Sequence, residues 1–575
     1  MKKYFILISI FFWGISLNSL YSQDLPRYLT EEEKLIYKYY QPPTSNPKDV
    51  NPPLTPVRTM AEWEELQAVV ITWTSYLPIL AQVVDYVQDE CLVYIVCTDS
   101  NSVKNTLTSY GVPLVNLRFI YTQFNSVWCR DYGPWIVYSN DIDSIKIIDW
   151  IYNRPRPLDD QVPVAIANYM GVPIHQTTQS PYDLIATGGN FMVDGHHTAF
   201  SSKLILQENP QKTEAQIDTI IKKYMGVKRY IKMDVLPYDG IHHIDMHMKL
   251  LDEETLLVGQ YPPGVADGPQ IEANLQYILN NFLTFANKPY KVVRIPMPPN
   301  SSGQYPPNSY YYTYTNSLIV NKTVIVPIYG FSQDTTALRI YREAMPGYRV
   351  VGINCNSIIP ASGAIHCITK EIGTSNPIWI SHSALRNTTN NSVPYEVKAV
   401  IKNKSGISSA KVYWTTDTLM GFSQLNMNLV ADTFRASIPA QPYGTKIYYY
   451  ISATSQNGKT ITKPLTAPSG NYRFSILQPS NITANSEIID FKLYQNFPNP
   501  FNSSTVIKFS IPERKFITLT IYDVNGKEIA NLIKGFIDAG EHNVVFNAEK
   551  FASGIYFYKL NTGDYTYFRK MILLK

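Results

Sequence analysis

Apolar positions along this chain change rhythm several times. Behind Lys2 and Lys3 an unbroken apolar and aromatic run extends from Tyr4 to about Ser16, followed by a polar stretch ending Leu20-Tyr21-Ser22-Gln23. That order of basic, apolar and small residues predicts a secretory signal peptide over residues 1–22, cut after Ser22. A membrane anchor needs about 18 apolar residues or more, and neither this run nor any later one reaches that length, so no transmembrane segment is expected in the mature chain. From Glu31 to Tyr40 a short helical pattern appears, and Pro42-Pro43-Thr44-Ser45-Asn46-Pro47 and Pro52-Pro53 break it. Residues 23–45 therefore read as a leader or pro-segment, with Pro42 to Pro56 linking it to the first folded unit.

Between residues 46 and 378, β-rich runs such as Ala68 to Trp73 and Leu92 to Val96 alternate irregularly with helical ones such as Thr213 to Tyr224, which predicts an α/β domain. After about Pro377 the period shortens to alternating strands at Tyr395 to Ile401, Ala410 to Trp414, Thr433 to Ile438 and Lys446 to Ala453, the last closed by Ser455-Gln456-Asn457-Gly458. Residues 379–478 thus read as an antiparallel sandwich of immunoglobulin-like architecture without the sheet-to-sheet disulfide. Residues 488–575, with the turn Asp523-Val524-Asn525-Gly526-Lys527 among short strands, predict a second small β-sandwich.

Composition narrows the function classes. With 50 basic and 46 acidic residues in 575, a formal charge of +4 gives no electrostatic footprint for nucleic acid. Hydrophobic residues at 45% against 17% charged allow real cores and exclude wholesale disorder. The 43 tyrosines and 39 prolines suit strand-rich domains with many turns. Five cysteines exclude a disulfide scaffold and leave at least one thiol unpaired or paired outside the chain.

Three stretches of the α/β domain carry candidate chemistry. From His243 onward, His242-His243-Ile244-Asp245-Met246-His247-Met248-Lys249 alternates polar and apolar. A strand would put His243, Asp245, His247 and Lys249 on one face. Such a ladder can be a metal site, an acid–base site or a solvated edge; Lys249 counts against a metal, since an ammonium beside a divalent ion is repelled. The second stretch, Ser362-Gly363-Ala364-Ile365-His366-Cys367-Ile368-Thr369-Lys370, holds a cysteine that is either a buried small hydrophobe or a nucleophile in positive surroundings. The other cysteines read as structural, Cys91 and Cys97 flanking a strand. In the third, Trp128-Cys129-Arg130-Asp131-Tyr132-Gly133-Pro134-Trp135, Arg130 and Asp131 can be a buried structural pair. Alternatively, Asp131 between two tryptophans offers a carboxylate and aromatic walls for a planar cation. Cys, His and two Asp together suit attack on a guanidinium carbon: carboxylates hold the N–H groups, a thiolate attacks, and a His protonates the leaving ammonia and then activates water.

Residues 54–378 resemble the agmatine deiminase and bacterial peptidylarginine deiminase branch of the guanidino-group-modifying superfamily. The resemblance rests on five motifs in order: Trp128 to Pro134, Thr187-Gly188-Gly189-Asn190-Phe191, His243-Ile244-Asp245, Thr313-Tyr314-Thr315-Asn316-Ser317-Leu318-Ile319 and Ile365-His366-Cys367-Ile368-Thr369. It implies a five-bladed pseudosymmetric α/β propeller with an axial guanidinium pocket. Carried over by position, Cys367 is the nucleophile, His243 the general acid and base, Asp131 and Asp245 the guanidinium ligands, Asn316 an orienting residue and Trp128 a wall of the pocket. It implies no catalytic calcium, and neither cofactor nor metal is expected. Tyr152-Asn153-Arg154-Pro155-Arg156-Pro157 reads either as a surface loop or as a carboxylate clamp. Resemblance to the peptidyl branch implies that Arg154 and Arg156 bind the C-terminal carboxylate of an arginine-ending peptide. The segment Ala361-Ser362-Gly363-Ala364 is less glycine-rich than in many agmatine deiminases.

The last segment resembles the C-terminal sorting domain of type IX secretion, in Asn496-Phe497-Pro498-Asn499-Pro500-Phe501 and in Ser553-Gly554-Ile555-Tyr556-Phe557-Tyr558-Lys559-Leu560. It implies the type IX machinery as a partner and a secreted or surface-attached product. The expected function is hydrolysis of peptidyl-arginine, favouring C-terminal arginine, to peptidyl-citrulline and ammonia through a covalent Cys367 thiouronium. The alternatives are an agmatine or free-arginine deiminase, or a catalytically silent surface adhesin.

Overall fold

A computed structural model describes residues 25–37, 39–40, 49–478, 492–512, 514–562 and 566–575. The proposed signal peptide lies outside the described residues. The chain divides into two units, through Leu477 and from Gln478 onward.

The α/β part of the first unit repeats one plan five times. In each repeat a short strand pairs antiparallel with the next strand, which runs parallel to a third reached through a helix. Trp135–Ser139, Ile145–Tyr152 and Ile174–Thr177 form the middle of one such sheet, with helix Val162–Met170 as the crossover. The same order recurs in Met192–Val193, Thr198–Ser202 and Arg229–Met233, crossed by helix Glu214–Met225. It recurs again in Met248–Asp252, Thr255–Gln260 and Lys291–Pro296 around helix Gly268–Asn281, and in Leu318–Val320, Thr323–Ile328 and Arg349–Asn354 around helix Gln333–Ala344. The fifth sheet joins the two ends of the domain: Lys370–Gly373 pairs antiparallel with Leu66–Thr72, which is parallel to Leu92–Cys97, and that strand to Leu117–Tyr121. The sheets are separate, and none closes on itself.

Local chemistry explains the elements. Leu66–Thr72 is buried on both faces, and a strand of that kind reads as an apolar run. Helix Glu214–Met225 starts in a capping box, Thr213 and Gln216 each satisfying the other's backbone N–H, and stops at Gly226 in the left-handed region. A continuous apolar core links the sheets, and a second cluster surrounds Trp135, Trp150 and Phe191.

Residues after Trp379 form two antiparallel sheets, one built on Tyr395–Lys402 and Thr433–Ile438 and the other on Ile407–Thr415 and Lys446–Ser455. They share a core of Val397, Val412, Ile438, Tyr449 and Ile451. The second unit has two antiparallel sheets of its own around Ile507, Phe509, Leu519 and Leu560. All five cysteines are free thiols.

Candidate active site

The connection entering the first strand of each repeat delivers one piece of a single buried site. These connections are the helical turn Cys129–Tyr132, the 3-10 turns Gly188–Asn190, Ile244–Met246 and His366–Ile368, and the loop from Thr313 to Asn316. Asp131, Gly189, His243 with Asp245, Asn316 and Cys367 thereby converge from positions up to hundreds of residues apart.

They converge on an arginine of the chain itself. Arg27 Nε and Nη2 donate to Asp131 Oδ2 and Oδ1 at 2.8 and 2.9 Å, a bidentate pair. Nη1 and Nη2 donate to Asp245 Oδ1 and Oδ2, both at 3.2 Å. Cys367 Sγ lies 2.6 Å from Nη1. The Gly189 N–H donates to Asp131 Oδ1 at 3.0 Å, the same oxygen that accepts from Arg27 Nη2, and helps to fix that carboxylate. Asn316 Oδ1 accepts from the His366 N–H at 3.0 Å and stands 3.3 Å from Cys367 Sγ, so it holds the turn that carries the sulfur.

Electrostatics follow from burial and from Arg27. Burial alone would raise the Asp131 and Asp245 carboxyls, but the guanidinium, joined by His243 and at Asp245 by His366, outweighs it and holds both well below the usual carboxylate range. Burial would lower Arg27, and the two carboxylates reverse that. Burial pushes the Cys367 thiol far up, Arg27 drawing it part of the way back. His243 is wholly buried, and burial together with the Arg27 cation pushes its imidazole down to about 3, so it is neutral at ordinary pH. Its Nδ1 stands 3.7 Å from Asp131 Oδ1, and neither ring nitrogen has a hydrogen-bond partner. A neutral imidazole close to a buried guanidinium can accept one proton and return it.

Behind Asp245 runs a buried relay. His366 Nδ1 lies 2.9 Å from Asp245 Oδ2 and its Nε2 lies 3.0 Å from Glu62 Oε2. Lys249 Nζ donates to both Glu62 oxygens at 2.8 Å. Among the described residues no group of three or more His, Cys, Asp or Glu is arranged to hold a metal ion.

Several expectations need correction. Residues 243–247 are not a strand: the chain turns through Ile244–Met246, and the strand begins only at Met248. The ladder therefore breaks apart, with His243 and Asp245 on the guanidinium, His247 buried without a partner and Lys249 on Glu62. Arg130 does not pair with Asp131 but with Glu371, at 2.7 Å. Of the two tryptophans, Trp135 packs on Trp150, Phe191 and the Lys370 ammonium. Trp128 is buried, and its Nε1 donates to the Leu25 carbonyl at 2.8 Å, so it touches the backbone of the N-terminal segment.

The Arg154 and Arg156 loop also lies against residues 26–33 of the N-terminal segment. Arg154 Nε donates to the Arg27 carbonyl at 2.9 Å. Arg156 forks onto Glu33 at 2.7 and 3.0 Å and also reaches the Pro26 and Tyr28 carbonyls at 2.7 and 3.3 Å. Sequence reasoning assigned no role to Arg27, His366, Glu62 or Gly189. Gly189 and His366 stood inside quoted motifs, but nothing marked Arg27 or Glu62.

The catalytic part and the tail both match known families. Residues 58–372 match the Porphyromonas-type peptidyl-arginine deiminase family, and residues 495–574 match the secretion system C-terminal sorting domain. A putative agmatine deiminase of Mycoplasma mycoides subsp. mycoides is 24% identical over 291 residues, 45% of this chain and 78% of that protein. One from Shewanella baltica is 26% identical over 287 residues, 43% of this chain and 74% of that protein. Among solved structures, a putative agmatine deiminase at 21% identity covers 56% of this chain and 96% of its own with a TM-score of 0.50, a likeness of fold. The type IX sorting domain marks the chain for secretion and cell-surface attachment, and no helix among the described residues is long and apolar enough to cross a membrane. The first match spans more than half of the 575 residues and takes in every side chain that touches the Arg27 guanidinium, and the chain belongs to the Porphyromonas-type peptidyl-arginine deiminase family of guanidino-modifying hydrolases.

Proposed function

We propose that the chain hydrolyses peptidyl-arginine to peptidyl-citrulline and ammonia. Asp131 and Asp245 hold the guanidinium, Asn316 orients the site, and Cys367 attacks the central carbon after passing its proton to His243. The imidazolium returns that proton to a guanidinium nitrogen, which leaves as ammonia, and a thiouronium on Cys367 remains. His243 then takes a proton from water and the hydroxide attacks the same carbon; the C–S bond breaks to leave a ureido group, the hydroxyl proton going to the released ammonia as ammonium, and the imidazolium returns its proton to the Cys367 thiolate.

Recognition of main chain carries the peptidyl reading. Five hydrogen bonds join the pocket to the leader backbone: Trp128 to Leu25, Arg154 to Arg27, Arg156 to Pro26 and to Tyr28, and the Arg27 N–H to the Ala361 carbonyl at 2.9 Å. Agmatine has no backbone to use them. Arg154 stands where the carboxylate of a C-terminal arginine would lie, and a guanidinium gains more from a charged oxygen pair than from one carbonyl, which supports a preference for that end. We read the five sheets as blades around an axis through the guanidinium, because each sends an equivalent connection to it, and the two-sheet domain as immunoglobulin-like and coupling the enzyme to its sorting tail. The curated relatives carry the name agmatine deiminase, which makes agmatine the second reading.

Ureido product and ammonia are to be measured on a peptide ending in arginine, a peptide with internal arginine, and agmatine. The Arg27→Ala chain is used so that its own arginine does not compete. The expected order of kcat/KM is C-terminal, then internal, then agmatine, and substituting Arg154 lowers the first two but not the third. Agmatine turned over best, with peptides untouched, establishes the second reading.

A further inference from the structure

Arg27 belongs to the leader, yet its guanidinium is completely buried in the pocket just described. The grip extends well beyond one side chain. Glu33 receives the Arg156 fork and also caps the start of helix Glu31–Tyr37, its Oε2 accepting from the Thr30 N–H at 2.9 Å while its own N–H donates to Thr30 Oγ1 at 3.1 Å. Tyr28 and Leu29 form one wall of a cavity of about 760 Å³ whose other wall includes Arg154, Glu208 and His242. With the segment in place, Cys367 and His243 have no exposed surface.

We propose that residues 25–37 are a tethered inhibitor of the active site, keeping the enzyme latent until the leader leaves. The inference rests on the deiminase reading. A passing substrate needs only the arginine and its neighbouring carbonyls. This segment adds an anchor six residues downstream, Glu33 on Arg156, which a released product would not share. It is also joined to the domain: residues 41–48 separate Tyr40 from Asp49, whose carbonyl accepts from the Gln176 N–H at 2.8 Å. A short tether supplies an effective concentration on the order of millimolar, so even a modest intrinsic affinity keeps the pocket filled. The hydrolytic half of the reaction needs water at His243, and the docked segment covers that residue.

The test compares the full chain with its Arg27→Ala form on an arginine peptide. Release of a competing ligand lowers the apparent KM about tenfold or more and leaves kcat unchanged. A synthetic peptide of residues 23–40 added to the Arg27→Ala chain raises KM again, and the same peptide carrying alanine at position 27 does not. Equal KM and kcat in the two chains overturn the inhibitor. So does peptide mass spectrometry that finds citrulline at position 27 in a wild-type chain as active as the variant. Absence of ureido product from both chains, with Cys367→Ala indistinguishable from either, instead overturns the deiminase reading itself.

Discussion

Gly189 shows how tightly the pocket is cut to a guanidinium. A Cβ there would stand 1.6 Å from Arg27 Nη2 and 2.8 Å from His243 Nδ1. Gly189→Ala therefore displaces either the cation from Asp131 or the imidazole from the cation, and a misplacement of about 1 Å costs on the order of 10²-fold in rate. In the Arg27→Ala chain, where the chain's own arginine is not displaced, steady-state kinetics on an arginine peptide are expected to show that loss in kcat/KM with an unchanged unfolding midpoint; near-normal turnover would mean that the guanidinium binds elsewhere. The chemistry of the centre was legible in the sequence because a thiol, an imidazole and two carboxylates are the groups this reaction needs. Direction was not. Trp128 and Trp135 are seven positions apart in one motif, yet the first meets the leader and the second a lysine, since adjacency in sequence does not say where a ring points. His366 beside Cys367 was passed over for the same reason: its contact with Asp245 spans 121 residues.

The 243–249 segment misleads as an element because polar and apolar residues alternate in it without a strand beneath. A 3-10 turn over Ile244–Met246 points His243 and Asp245 at one cation, which a strand face would also have done, but it sends Lys249 to Glu62. The leader helix was readable from its pattern, whereas its destination was not, because nothing local in Leu25-Pro26-Arg27-Tyr28 announces a partner more than 100 residues away. Docking of that element should depend on pH with a definite sign. Binding of Arg27 opposes protonation of His243 and favours ionised Asp131 and Asp245. By linkage, protonating any of the three opposes binding of Arg27. Burial and the Arg27 cation together hold the His243 imidazole down to about 3 in the closed site, so docking is expected to be strongest near neutral pH and to weaken as the pH falls toward that value. Amide hydrogen exchange, corrected for its intrinsic pH dependence, is expected to lose protection over residues 27–37 along that descent; protection that grows on acidification contradicts the assignment.

At the scale of the first unit, the two-sheet domain is fastened to the α/β domain by several independent contacts. Lys402 pairs with Asp141 at 2.8 Å, Lys459 with Glu65 at 2.6 Å and Lys463 with Glu253 at 3.1 Å, while the Arg58 guanidinium lies 4.8 Å from the Trp379 ring centroid. At one point backbone meets backbone: a Cβ on Gly347, whose φ is +84°, would stand 2.2 Å from the Gly470 nitrogen. Gly347→Ala should cost about 1–3 kcal/mol by overpacking and strain, lowering the unfolding midpoint while leaving kcat intact, since neither glycine touches the site; an unchanged midpoint would mean that the domains are not docked there. The α/β class, the strand-rich regions and the sorting tail were readable from rhythm and motif. The fivefold repeat was expected only through the family resemblance and not from rhythm, because no clean repeat shows along the chain while its units share a plan of antiparallel pair, helix and parallel strand. That plan brings five connections to one buried site, in which Cys367 is proposed to deiminate arginine in peptides. The most direct measurement is ureido product formed from an arginine peptide by the Arg27→Ala chain and by the same chain carrying Cys367→Ala. Citrulline and ammonia in equal amounts from the first and none from the second are expected; product from both, or from neither, would contradict deimination by Cys367.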